Sequence, residues 1–392
     1  MNLKQLFFVG LFFVISFSSL AQTKIIVNRS VLVLPYTIQR AESYLDSNKV
    51  SEATWILINA QEENPAQAEA LARRIKVNKT DQSFIQWVEN VFWAYIPYVD
   101  LISNNEKKRV FEDYFFLETQ LIAFATQHGM KVLQLDEQAQ QQMAQGKKVE
   151  AVQSYTTAIQ LIPTARRYYH RAQLYESLHE DRKALQDYDS SILLSPYPAH
   201  YFSRGELDMS LRFLDDAIRD FNKVIDSKFE YLLHGAYMNR AKCYALKGDL
   251  NSDKKSLGLS ISDFTKAIEL FPTSEAYKRR GLSNYAIKNM EEGKKDFKRA
   301  IELNPKDAEP YILLAAGEDD FKKRIVLLDK GIGLIHDDKD TPNLRRNAIG
   351  LRGITYYNNG KKKQACADFQ QAMELGDKES EEYYNKYCRK RK

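Results

Sequence analysis

The ten residues DFKRAIELNP at 296–305 restate, 33 positions on, the phrase DFTKAIELFP at 263–272. Each opens on an acid and an aromatic, places Ala four residues after the acid, and closes on Pro. Aligning on this phrase recovers ILINAQEENP from Ile56, SYTTAIQLIP from Ser154, DYDSSILLSP from Asp187, DFNKVIDSKF from Asp220 and DFQQAMELGD from Asp368. The start-to-start steps are 98, 33, 33, 43, 33 and 72 residues. Self-similarity at such a period is the signature of stacked supersecondary units, and the long steps imply worn copies in the gaps. One is visible as LLDKGIGLIH from Leu327, which keeps the apolar spacing without the acid.

A second pattern precedes each clear phrase: YYHRAQLY from Tyr168, YFSRGELD from Tyr201, YMNRAKCY from Tyr237, YKRRGLSN from Tyr277 and IGLRGITY from Ile349. In the fullest copies its aromatic or branched residues and its Ala or Gly recur at helical spacing, which puts them on one face, and the small residue admits a neighbouring helix. Breaks such as KGD at 247–249 and NNG at 358–360 turn the chain between the two helices. Helix, turn, helix and Pro every 33 residues or so resembles the tetratricopeptide repeat. The order of small, aromatic and Pro positions characteristic of that family stands at Ala172, Tyr175, Ala184, Tyr188, Ser191 and Pro196, and again at Ala41, Tyr44, Ala53, Leu57, Ala60 and Pro65. The resemblance covers about 34–377 and implies an all-α fold, a helix-turn-helix solenoid wound into a right-handed superhelix with a C-terminal capping helix. The sequence departs from the family in having Tyr or Ile where Trp is common. The copy at Tyr237 also carries seven extra residues, SDKKSLG at 252–258, expected to protrude as a loop.

Around this array the chain divides further. Residues 1–21 read as a signal peptide, with Lys4, the apolar run Leu6 to Phe17 and small residues before Gln22. An arm follows over 22–33, then a first repeat at 34–65. Residues 66–131 are rich in aromatics and are either worn repeats or a docking insert. The main array occupies 132–377, and 378–392 form the capping helix and a basic tail. Such a leader predicts export to a periplasmic or secreted location, and no later stretch is apolar for long enough to span a membrane as a helix. Asn28 and Asn78 head glycosylation acceptor patterns. The net charge of +5, with acids and bases interleaved, argues against a nucleic-acid partner.

No zinc, phosphate-loop, dinucleotide or nucleophile-elbow motif is present, and the six histidines are scattered, so the sequence predicts no enzyme, no catalytic residue, no metal and no cofactor. One charged constellation does recur. Arg171, Arg204, Arg240, Arg280 and Arg352 stand before the small residue of five first helices, and Asp187, Asp220, Asp263, Asp296 and Asp368 open the matching phrases. The spacing is 16 residues in four copies and 23 where the seven extra residues intervene, so these are expected as structural ion pairs clamping each hairpin; an anion-binding ladder is the other reading. Cys366 and Cys388 flank the turn before the cap at equal distance from Asp377, which makes them either a disulfide or two separate thiols, with Cys243 free inside its hairpin.

The resemblance implies a non-enzymatic scaffold that holds a peptide segment or partner protein on its concave face. The stripe beside the hairpin-facing residues begins at Asp136, Gln140 and Met143. It continues through the candidate partner-binding residues Tyr169, Gln173, Phe202, Glu206, Met209, Met238, Lys242, Lys278, Leu282 and Tyr285, with Tyr169, Phe202, Met238 and Tyr285 as anchors and Glu206 and Lys278 steering. These aromatics and methionines could instead fill contacts between successive repeats. The alternative function is a structural or assembly subunit of an envelope or cell-surface complex, docking through the outer helices and 66–131.

Overall fold

The computed structural model describes residues 38–60, 65–77, 79, 83–84, 87–88, 129–335 and 342–389. The leader, the arm and most of the aromatic segment over 66–131 lie outside these residues, as do Asn28 and Asn78. Among the described residues every regular element is a helix, and the chain separates into two compact units, one reaching Leu207 and the other starting at Asp208. No described helix is long and apolar enough to cross a membrane.

The first unit opens with α1 (Ile38–Asp46), α2 (Val50–Ala60) and α3 (Pro65–Lys76). Further on come the hairpins α4 (Gly129–Ala144) with α5 (Lys148–Leu161) and α6 (Ala165–Ser177) with α7 (Asp181–Leu194); α8 (Pro198–Ser210) runs across the division. The second unit continues with α9 (Leu214–Asp226) and three hairpins, α10 (Glu230–Asn251) with α11 (Lys254–Leu270), α12 (Ser274–Ala286) with α13 (Met290–Leu303), and α14 (Glu309–Ala316) with α15 (Phe321–Leu334). It ends with α16 (Pro342–Asn358), α17 (Lys362–Glu374) and α18 (Lys378–Tyr387). Pro163, Pro196, Pro272 and Pro305 each stand two residues past a second helix, because the residue before a proline is pushed out of the helical region.

The repeated phrase is the core. Its aromatic position, Tyr155, Tyr188, Phe221, Phe264, Phe297 and Phe369, is at most 2% exposed in the six copies that carry an aromatic, and Leu57 in the seventh is fully buried. Three residues on, Ala158, Ser191, Val224, Ala267, Ala300 and Ala372 are fully buried. Across the hairpin the small residue admits the ring: a Cβ on Gly281 would stand 2.6 Å from Phe297, and one on Gly353 2.9 Å from Phe369. Burying six aromatic side chains at about 2–3 kcal/mol each is the main force holding hairpins that would be marginal alone.

Four of the five arginine–aspartate pairs lie within a single unit, and all four form. Arg171, Arg240, Arg280 and Arg352 each grip their aspartate, Asp187, Asp263, Asp296 and Asp368, with Nε and Nη2 at 2.7–3.0 Å. The remaining Nη1 reaches back to the second helix of the preceding repeat: Arg171 to Thr156 and Arg280 to Thr265 at 3.0 Å, Arg352 to Asp329 at 2.7 Å, and Arg240 to Asn222. One planar guanidinium therefore ties a hairpin together and binds it to its neighbour, a geometry lysine cannot reproduce. Arg204 and Asp220 fall in different units; within its own unit Arg204 makes the backward bond, to Asp189. Tyr168, Tyr201, Tyr237 and Tyr277, each three residues before its arginine, lie under the guanidinium at 5.5–5.9 Å from ring centroid to Cζ. At these four positions the tyrosine serves the cation.

The seven extra residues do not form the protruding loop that their count predicts. They lengthen both helices of one hairpin, α10 to 22 residues and α11 to 17, around a tight turn where Ser252 takes φ 50° and Asp253 caps Lys255. Two helical turns, one on each helix, absorb about seven residues, so most of the inserted backbone is hydrogen-bonded within helices where a loop would leave more of it open. Gly248 lets the hairpin close at this level, for a Cβ there would sit 2.5 Å from Leu257 Cγ.

At the C-terminus Gly376, with φ 87°, turns the chain, and Asp377 caps α18 by accepting from Ser380 N at 3.1 Å. Tyr383 stacks on Phe369 with centroids 5.1 Å apart, and Tyr387 packs at a tilt on Tyr357 at 4.6 Å. Cys366 and Cys388 are joined by a disulfide with Cα atoms 5.6 Å apart, so α18 is both packed and covalently tied over the last hairpin. Cys243 is free and fully buried, and desolvation pushes its thiol up to about 12, which leaves it unreactive.

Candidate functional site

The stripe selected from the sequence divides between two fates. In the first unit Asp136 does not face a hollow. It is buried and held by Arg167, whose Nε and Nη2 reach its carboxylate at 2.8–3.1 Å while Nη1 donates to Ile162 O at 2.8 Å. This pair links the first helices of adjacent repeats, α4 and α6; the sequence signal for it was a second arginine one turn before Arg171.

Tyr169 also turns to its neighbour. Its ring packs on Tyr188 and His200, and its hydroxyl lies 3.0 Å from Ser203 on α8. Gln173 is spent on the same cluster, bonding Tyr169 Oη and His170 Nδ1 at 3.2 Å each. Phe202 is half-buried and Glu206 exposed on α8.

In the second unit Met238 is buried in a core cluster with Phe264, Ala267 and Ala276. Lys278 is buried and its ammonium lies between three carboxylates, Glu275 and Glu309 at 2.8 Å and Asp307 at 3.2 Å. Desolvation alone would lower its pKa, but the bonds to Glu275 and Glu309 outweigh burial and raise it. Lys278 therefore has no charge left over to steer a ligand. Tyr285 meets Phe297 edge-on at 4.9 Å and is closed in by Gly293 and Gly317. These side chains knit one repeat to the next.

Three members of the stripe, Met209, Lys242 and Leu282, come together in a cleft of about 630 Å³ within the second unit. Each belongs to the first helix of a successive repeat, α8, α10 and α12. The floor is apolar, made by Met209, Leu246, Leu257, Phe264 and Leu282. The rim carries Arg212, Lys242 and Arg279 against one carboxylate, Asp249. Leu246, Asp249 and Leu257 come from the far end of the lengthened hairpin, which forms one wall of the cleft; of the seven extra residues, Leu257 lines it. The sequence reading missed Arg212, which sits in the turn after α8 with φ 67°, and Arg279, which lies beside rather than on the chosen stripe.

Within this geometry sit the matches to known proteins. The tetratricopeptide-repeat family model matches residues 241–274 and 274–307, the two repeats whose helices build most of the cleft. Among solved structures, the C-terminal part of a tetratricopeptide-repeat protein from Cytophaga hutchinsonii superposes with a TM-score of 0.50 at 18% identity, over 63% of this chain and 98% of that one. A tetratricopeptide-repeat protein from Parabacteroides merdae matches at 18% identity over 65% and 98%, with a TM-score of 0.46. No curated protein matches in sequence. The fold is thus a helical repeat solenoid. Residues 241–307 match the tetratricopeptide repeat, and the fold is that of the tetratricopeptide-repeat solenoids.

Proposed function

We propose that this protein is a non-enzymatic, exported scaffold that holds an extended segment of a partner protein in the cleft of its second unit. A tetratricopeptide-repeat fold is a protein-interaction scaffold, and the observation that carries the finer reading is the convergence of three successive first helices and the lengthened hairpin on one apolar-floored, charge-rimmed cleft. Elsewhere Asp136, Tyr169, Gln173, Met238, Lys278 and Tyr285 of the corresponding stripe are taken up by contacts within and between repeats. The apolar leader at 1–21 and the Cys366–Cys388 disulfide support export to an oxidising compartment, periplasmic or extracellular.

The test is capture of partners from the native envelope or secreted fraction by the mature chain and by a Met209→Ser, Leu282→Ser variant. Recovery of the specific partner should fall about tenfold in the variant while its thermal midpoint stays within a few degrees of the parent. Undiminished capture by a folded variant would move the interface out of the cleft and favour the assembly-subunit function.

A further inference from the structure

The charges on the cleft rim are unevenly satisfied. Arg212 is exposed, and among the described residues no carboxylate lies within ion-pair distance of it. Lys242 is half-buried at the edge of the apolar floor, and among the described residues its ammonium has only the Asn239 side-chain oxygen, at 3.4 Å. Arg279 commits Nε to Glu275 at 2.6 Å and keeps its two terminal nitrogens, being 44% exposed. Against these stands Asp249 alone. The excess is local, because the chain as a whole carries 57 bases and 52 acids. It also contrasts with Lys278 nearby, where the same residue type is matched by three acids. A half-buried ammonium beside Leu282 and Met209 with no anionic partner is a group whose desolvation a bound anion would offset.

From this we propose that the segment held in the cleft is acidic: a stretch of a partner protein in which Asp or Glu side chains meet Lys242 and Arg212 while an adjacent apolar side chain enters the floor. The inference rests on the cleft being a peptide site. The apolar floor disfavours a polyanion whose every unit is charged. The one aromatic in the lining, Phe264, is fully buried and offers no face for a base to stack on, so a protein segment fits and a nucleic acid does not. The paired requirement also gives specificity: a basic segment would meet three like charges, and a purely apolar one would bury Lys242 unpaired.

The experiment uses the mature full-length chain and three short fluorescein-labelled peptides alternating Leu or Phe with Asp and Glu, with Asn and Gln, or with Lys. Fluorescence polarisation at low salt should show the acidic peptide binding about tenfold more tightly than its amide counterpart, the gap narrowing as salt screens it. Changing Lys242→Gln with Arg212→Gln should remove most of that gap, and Lys242→Glu with Arg212→Glu should turn the preference toward the lysine peptide. Equal binding of acidic and amide peptides, both lost in the Met209→Ser, Leu282→Ser variant, would keep the cleft as the site but overturn its acidic selectivity. An acidic preference that survives Lys242→Gln with Arg212→Gln would place the anion elsewhere and also overturn it. If none of the three peptides binds, the peptide-cleft reading fails together with the charge assignment.

Discussion

At the scale of single residues, the guanidinium midway along the first helix of the arginine-bearing hairpins was only half legible. The fixed offset of Arg280 and Asp296 marked the pairing within a repeat, since a partner must move with its partner when residues are inserted between them. The backward bond to Thr265 was not visible, because threonine is common on any helix surface and nothing in its spacing marks it as an acceptor. Arg280→Leu should lower stability by about 1–3 kcal/mol, leaving Asp296 at 6% side-chain exposure without its cation; adding Asp296→Leu should recover much of this. Denaturant titration of the four members of the cycle measures it, and strictly additive losses would refute the coupling. A second residue-scale consequence concerns His170 and His200. Desolvation pulls His170 down to about 3, with Arg166 adding repulsion, and holds His200 at about 4 despite its bond to Ser195 O. Arg166 Nε donates toward His170 Nε2 at 3.4 Å, so that nitrogen accepts and the ring is neutral. The unfolded chain takes up these protons near 6.5 and the folded chain does not, so the contribution is complete above 6.5 and is lost as pH falls through the range down to about 4. Between pH 7 and 5.5, mostly above the carboxylate range, stability should drop by about 1 kcal/mol per histidine; His170→Gln with His200→Gln should flatten the slope of the thermal midpoint against pH.

At the scale of elements, helix positions followed from the phrase because each aromatic and each small residue has one place where it can be buried against the other. Met238 and Lys278 were misjudged for a related reason. A helix in a stacked array has two buried faces, one toward its own partner and one toward the next repeat, and a stripe adjacent to the first is close in angle to the second. Periodicity cannot separate a face turned to a neighbouring repeat from one turned to solvent, whereas the pairing of Lys278 with Asp307 and Glu309 of the following repeat does so at once. The cap provides the element-scale prediction. Cys388→Ser opens a loop closed over 22 residues and should weaken the terminal hairpin by about 3 kcal/mol. Hydrogen exchange should then quicken in Lys378–Tyr387 and in α17 while α12 and α13 stay protected; uniform loss of protection across the second unit would contradict a local role.

At the scale of the molecule, stability in a repeat chain is a sum of units and interfaces, so unfolding need not be all-or-none. The three tryptophans, Trp55, Trp87 and Trp93, all precede residue 94, so their fluorescence reports only the early part of the chain, whereas the circular dichroism signal reports helices along the full length. The two probes should give different midpoints in urea; coincident curves would show a single cooperative transition. The lengthened hairpin α10–α11 has one more consequence. Along a regular array equivalent seats recur once per repeat, and a long ligand can shift by one repeat at almost no energetic cost, which blurs both stoichiometry and alignment. A hairpin about one turn taller than its neighbours abolishes that translational degeneracy: a segment that touches Leu246 and Leu257 can be read in one frame only, and the insertion thereby acts as the origin from which every other contact along the array is counted.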